Sequence, residues 1–399
     1  MTPLVIDDPA GLSELCLRVR AARHVALDTE FHSERTYAAR LMVVQLALPG
    51  EDEITIVDAL KLPDLQELAA ALASVTIVGH ALGSDLKIFA DRYEQLPATA
   101  FDTQLAAAFC GYGPSISLAD LVRDITNVRL RKSQTVSDWS LRPFSLQQLE
   151  YLVDDVRYLF PLYERLTERL IEGGRLAWYE DEARDLVDLA RYRPDPERIY
   201  LKIPGASRMN RRDLGILREL AILRERLARE RDLPVRYILA DDVMAGIVAL
   251  RPSAIEDLAQ LRRFDAGARK SLGDRVVAAV GTALALDEDE LPRRSVRPSG
   301  PDRDALAAAL AVLVGGIAER NQLPASLLLS RATIERIARE FPETYKAMEE
   351  LLGAGTWRAD LLARPLTDLL HGRTVIGVER DALGEPRVTA REIDVKELP

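Results

Sequence analysis

Three acidic stretches, far apart in the chain, have the residue types and spacings of a divalent-metal site: Asp28-Thr29-Glu30-Phe31, His80 to Asp85, and Tyr151 to Asp155. From His24 the chain is mostly apolar until it ends in acid at Asp28 and Glu30, as a buried strand does when it reaches a sheet edge. Residues i and i+2 of a strand share a face, so Asp28 and Glu30 project together. From Ser145 to Ile171 apolar residues recur with a helical period, and Leu149, Leu152, Val153, Val156 and Leu159 fall near one stripe. Tyr151 and Asp155 stand four apart on that helix and are neighbours on one face. Asp85 follows Gly83-Ser84 in what reads as a first helical turn. Four carboxylates in one place repel one another unless cations neutralise them, and oxygen-only ligands favour Mg²⁺ or Mn²⁺. Taken singly each piece is weak, since acids end strands and line solvated helix faces in most proteins. Together, in fitting structural contexts, they point to one metal centre.

The elements that must position these groups come from the first half of the chain. Strands are expected at 25–28, 41–48, 54–58 and 76–80, with helices at 64–73, 85–92, 102–110, 118–125 and 146–172. This α/β alternation predicts a mixed sheet with covering helices, occupying 1–185. A linker rich in proline and charge follows at 186–206. The remainder is helical and repeats itself at an offset of 90 residues. Leu227-Ala228, Leu233-Pro234 and Ile238-Leu239 recur as Ile317-Ala318, Leu323-Pro324 and Leu328-Leu329. Two small all-α domains are therefore expected at 207–286 and 302–372, joined by a second linker at 287–301. The polar tail, 373–399, is expected to have little fixed structure.

Composition is compatible with this reading. At 399 residues and 48% hydrophobic content there is material for two or three cored domains. No apolar run reaches the length of a membrane span, and the first eight residues read as neither basic nor apolar, so no export signal is expected. Cys16 and Cys110 are too few for a disulfide framework, and a reducing cytoplasm is the expected location. The net charge of −10 argues against nucleic acid, yet between Arg191 and Arg236 there are 13 basic against 7 acidic residues. That stripe suits a phosphate backbone or, equally, a lattice of ion pairs on a solvated helix.

Several motifs resemble ribonuclease D. Asp28-Thr29-Glu30-Phe31 with Arg35-Thr36-Tyr37 and Val43-Val44-Gln45-Leu46 is similar to its first exonuclease motif. His80-Ala81 with Asp85-Leu86, then Phe101-Asp102-Thr103-Gln104, resembles the second. Ser137-Asp138-Trp139, Arg142-Pro143 and Tyr151 to Asp155 resemble the third, in the branch of the four-acid exonucleases that carries tyrosine. Ala38-Ala39 departs from the aromatic and proline common in the family. The resemblance spans about residues 1–375 and implies a ribonuclease H-like exonuclease fold followed by HRDC helical domains. It also implies a monomeric 3′–5′ exoribonuclease acting on single-stranded RNA 3′ ends, with transfer RNA precursors as substrate. Two divalent ions are implied, Asp28, Glu30 and Asp155 holding the first, Asp28 bridging to the second, Asp85 serving the second, and Tyr151 aiming the attacking water.

Substrate contacts are less sharply marked. Phe31 and Trp139 have the chemistry to stack on terminal bases; His80, Lys132 and Arg142 have the chemistry to touch phosphates. Each has a structural alternative, in core packing, hydrogen bonding or solvated surface. Asp102-Thr103 before a helix reads as an N-cap. Two other function classes fit the motifs: a 3′–5′ DNA exonuclease, and an RNA-binding protein whose acids are relics. A helicase is excluded, as no Gly-x-x-x-x-Gly-Lys-Ser/Thr loop occurs.

Overall fold

The computed structural model describes residues 3–130, 138–193, 195–292, 301–380 and 386–392. In the first domain the elements run β1 (Leu4–Ile6), α1 (Pro9–Ala21), β2 (His24–His32), β3 (Arg40–Ala47), β4 (Thr55–Asp58), α2 (Gln66–Leu72), β5 (Thr76–Gly79), α3 (Gly83–Tyr93), β6 (Thr99–Asp102), α4 (Thr103–Phe109), α5 (Leu118–Thr126), α6 (Leu146–Arg157), α7 (Leu159–Glu172) and α8 (Leu176–Arg184). The strands form one six-stranded sheet in the order β1-β4-β3-β2-β5-β6. β3 runs antiparallel to both neighbours, while β2, β5 and β6 are mutually parallel. The expected mixed sheet is present, with two short outer strands added that local pattern does not reveal.

One face of the sheet, carrying Leu27, Val44, Leu46 and Val57, belongs to the main core. The opposite face carries Val43 and Ile56, which pack with Met42, Trp139 and Leu152 beneath α6. Asp28 and Glu30 share that second face, because they pair in register with Gln45 and Val43.

The single helix expected over 146–172 is two. Tyr158, at φ −100° and ψ 0°, separates α6 from α7. α6 lies on β2 and β3, whereas α7 packs on α4, α5 and β5. Local periodicity hides the break, because the apolar stripe runs through it from Leu152 to Leu170 and both halves need it.

The region read as a first linker is folded. It contains α9 (Leu189–Tyr192) and short 3₁₀ turns. Leu186 and Tyr192 are buried in the core of the first domain, while Tyr200, Ile203 and Ala206 are buried in the helical domain that follows. That domain comprises α10 (Arg211–Arg231), α11 (Val235–Ile238), α12 (Asp241–Leu250) and α13 (Ala266–Ala285). The next comprises α14 (Pro301–Arg320), α15 (Ala325–Leu328), α16 (Arg331–Glu340), α17 (Tyr345–Leu352) and α18 (Trp357–Leu370). The repeated sequence pairs occupy matching places, at the end of the long helix and around the short one, and nine of their twelve residues are buried. Beyond Gly372 the expectation of little fixed structure is corrected. β7 (Thr374–Arg380) and β8 (Pro386–Glu392) form an antiparallel hairpin that rests on α14 and α18. Its polar composition concealed it, since one side of a hairpin laid on helices needs few apolar residues.

Candidate active site

β2 brings Asp28 and Glu30 to the end of the sheet, where its pairing with β3 shifts register between Glu30 and Phe31. α6 is fixed above them by a capping box, in which Ser145 accepts from the Gln148 N–H and Gln148 accepts from the Ser145 N–H. Tyr151 and Asp155 then face the strand acids. Carboxylate oxygens of Asp28, Glu30 and Asp155 lie within 4.8 Å of one another. The Tyr151 hydroxyl lies beside the Glu30 and Asp155 carboxylates and interacts with both. Its ring leans on Trp139, with centroids 5.6 Å apart.

Asp85 stands apart from this trio. It is 6% exposed at the start of α3, and its carboxylate accepts from the Thr29 hydroxyl. Its charge still reaches the cluster, adding to the forces on both Asp28 and Glu30. Thr29 was not singled out from sequence; its place between two acids, on the alternate face of the strand, is the signal that marks it.

The electrostatics are those of crowded, desolvated acids. Burial, and then the charges of Asp85, Asp155 and Glu30, hold Asp28 well above the usual carboxylate range. Burial and Asp85 push Glu30 up to about 7, and burial and Glu30 push Asp155 up to about 8. Burial also raises Asp85 to about 7, against the pull of the Thr29 hydroxyl. Tyr151 is raised by burial and by the acids around it. One further feature bears on metal: Asp155 Oδ2 is buried and has no hydrogen-bond partner. An orphaned carboxyl oxygen beside two other carboxyl groups fits a divalent cation. The donor set is all oxygen, as Mg²⁺ or Mn²⁺ prefers.

Of the residues expected to touch substrate, three are corrected. Arg142 makes a two-pronged ion pair with Asp58, Nε to Oδ2 and Nη2 to Oδ1 both at 2.7 Å, and its other N–H groups donate to the carbonyls of Met42, Trp139 and Leu141. Asp58 is 2% exposed and needs that counter-charge, so the guanidinium is spent inside the fold. His80 uses both ring nitrogens, Nδ1 with the Thr103 hydroxyl at 2.9 Å and Nε2 with the Ile116 carbonyl at 3.0 Å. Trp139 is buried behind Tyr151 and offers no face to a base. Phe31 is half-buried at the strand end beside the site. Lys132 lies outside the described residues. Asp102 is the N-cap of α4 as expected, accepting from Gln104 and also from the N–H groups of Ala81 and Leu82. Part of the basic stripe is an ion-pair lattice: Arg211 and Arg212 meet Glu288, Arg218 meets Glu197 and Glu219, and Arg224 meets Asp241.

Residues 3–171 match the family model for a 3′–5′ exonuclease, and residues 213–280 match that for an HRDC domain. These matches define a 3′–5′ exonuclease domain followed by a helical HRDC domain. Ribonuclease D of Gluconacetobacter diazotrophicus is 36% identical, covering 94% of this chain and 95% of its own length. Ribonuclease D of Acidiphilium cryptum is 34% identical over 100% of this chain and 98% of its own. The crystal structure of Escherichia coli RNase D, an exoribonuclease involved in structured RNA processing, superposes with a TM-score of 0.79 at 30% identity, covering 93% of this chain and 99% of that one. The chain belongs to the ribonuclease D family and is a 3′–5′ exoribonuclease.

Proposed function

We propose that this exoribonuclease trims the 3′ ends of structured RNA, transfer RNA precursors among them, by hydrolysis at a two-metal centre. The observation that carries the reading is the trio Asp28, Glu30 and Asp155 with its orphaned buried oxygen. Asp28, Glu30 and Asp155 would hold one divalent ion, and Asp85 would serve a second. When bound, such ions make hydroxide available near neutral pH and stabilise a departing 3′ oxygen. In the metal-free site burial and acidic neighbours oppose ionisation of the Tyr151 hydroxyl. It therefore orients the attacking water by hydrogen bonding and is unfit to be the general base. Phe31, half-buried beyond Glu30, stacks on the terminal base. The released product is a nucleoside 5′-monophosphate. The second helical copy, 302–372, is an HRDC-type domain like the first, a reading supported by the shared order of elements.

The test is digestion of 5′-labelled single-stranded RNA and its DNA counterpart in Mg²⁺, in Mn²⁺ and in chelator. Wild type should shorten RNA from the 3′ end only with metal. Asp155→Asn should lower the rate on the order of 10³-fold or more, and Tyr151→Phe only about 10- to 100-fold. Digestion by Asp155→Asn at the wild-type rate would remove the trio from the chemistry. Equal digestion of DNA would widen the substrate to any single-stranded 3′ end.

A further inference from the structure

Gln45 is a polar residue in the middle of an apolar strand, and every residue of the run 41–48 is buried. It is 0% exposed, and neither its Oε1 nor its Nε2 has a hydrogen-bond partner. A buried amide left in that state lowers stability, so its presence needs a reason. Register supplies one. Gln45 pairs with Asp28 on β2 and with Ile56 on β4, and paired residues share a face. Its side chain therefore lies under α6, on the face that carries Asp28 and Glu30. Ile56 offers no polar atom. Asp58, one step further along the same face, already accepts from Arg142 and from the Leu60 N–H. Asp28 and Glu30 are the remaining polar neighbours in the sheet, and Asp28 stands directly opposite Gln45.

We propose that Gln45 is a positioning residue of the metal centre: its amide, unpartnered in the metal-free site, donates an N–H to the Asp28 carboxylate once a divalent ion is bound. A donor on one carboxylate oxygen fixes the plane of the group and aims the other oxygen outward, which is how residues behind a ligand set metal affinity. The amide suits this better than a charged donor. A lysine there would compete with the cation, and a glutamate would add a fifth buried acid. The inference rests on the metal reading of the trio given above.

The test titrates the full chain with Mn²⁺ alone, reading free Mn²⁺ by electron paramagnetic resonance, and melts the same proteins in chelator. Gln45→Met keeps the unbranched shape and removes both polar atoms; Gln45→Leu replaces it if the methionine variant does not fold. Thr55→Val is the control. Thr55 is also 0% exposed with an unpartnered hydroxyl, but it pairs with Leu46 and so lies on the opposite face. Gln45→Met should bind Mn²⁺ about 10-fold more weakly, while melting in chelator no lower than wild type. Thr55→Val should bind Mn²⁺ as wild type does. Wild-type Mn²⁺ affinity in Gln45→Met overturns the proposal, as does an equal loss in Thr55→Val, which would trace the effect to packing. Failure of the wild-type chain itself to bind Mn²⁺ overturns the metal reading, and the role of Gln45 falls with it.

Discussion

The two helical copies repeat one order of elements yet hold the catalytic domain in opposite ways. The first keeps a core of its own, built around Leu217, Leu220, Met244, Ile247 and Val276. It meets the catalytic domain chiefly through polar contacts around Tyr37, in the loop between β2 and β3. The Tyr37 hydroxyl donates to Glu225, Arg229 Nη2 donates back to it at 3.3 Å, and Asp232 accepts from the Tyr37 and Ala38 N–H groups at 3.1 and 3.3 Å. The second copy has no separate core. Leu310, Val314, Ile337 and Leu362 belong to the same apolar cluster as the sheet. Trp357 stacks on Trp178 at 5.1 Å and meets Phe109 edge-on at 5.4 Å, while Arg358 and the Trp357 indole share Glu182. An apolar seam is non-directional and leaves exposed surface if opened, so it acts as part of the fold. A polar seam is directional and screened by salt. The repeat conserves the fold of the copies, and surface residues alone decide whether a copy buttresses the enzyme or braces a loop next to its site.

The largest way to break this contrast is Trp357→Ala. Removing a buried indole should cost about 3–5 kcal/mol of stability to urea, and the catalytic domain should unfold in the same transition because the core is shared. A loss under about 1 kcal/mol, or a catalytic domain that unfolds separately at its old midpoint, would show the seam to be superficial.

A second contrast sets the crowded acids of the site against the paired charges that hold the fold. In chelator, Glu30, Asp85 and Asp155 keep their protons up to about pH 7, 7 and 8, whereas in the unfolded chain they release them near ordinary carboxylate values. Between those limits the folded state binds more protons, so stability falls as pH rises from about 5 to 8.5 and then levels. Asp58 has the reverse sign. Its burial alone would raise it, but Arg142 more than compensates and lowers it. Its contribution is present above the unfolded value and lost only in acid. Thermal melts in chelator should therefore drop by a few degrees between pH 5.5 and 8.5, and Asp155→Asn should flatten the drop. Mn²⁺ should raise the melting temperature more at pH 8.5 than at pH 6, since binding must expel those protons. Melts independent of pH in wild type would mean that the acids are not forced together without metal.

The site was more legible in the sequence than its surroundings, for a physical reason. Asp28 with Glu30, and Tyr151 with Asp155, are paired by the period of a single element, which local sequence encodes. Arg142, His80 and Trp139 are decided by partners far along the chain: Asp58, Thr103 and Ile116, and the α6 face. No local pattern reports those partners, and the same residue types serve phosphate binding equally well. The break at Tyr158 was hidden because the stripe Leu152, Val156, Leu159, Leu162 is continuous even though the two helices pack on different elements. Gln45 was legible in principle, as the one amide in a buried strand, but its meaning depends on register, and only the sheet supplies that.

The smallest effect concerns the polar seam itself. Tyr37→Phe keeps the ring, which Arg229 approaches at 5.5 Å, and removes only the hydroxyl shared by Glu225 and Arg229. Glu225 and Arg229 sit one turn apart on α10 and can then pair with each other, so the stability loss should stay near 1 kcal/mol. The loop that carries Tyr37 begins just after Phe31, and Arg92 holds its far end through the Ala39 carbonyl at 2.6 Å. Loosening one of two tethers should blur the position of Phe31 while leaving the acids on β2 in place. The expected result is a KM for RNA raised about 2- to 10-fold with kcat nearly unchanged. Added salt should narrow the difference, because screening weakens the wild-type seam but has little left to weaken in the variant. A fall in kcat at constant KM would instead put the Tyr37 hydroxyl in the chemistry, and the polar seam would then be an extension of the active site.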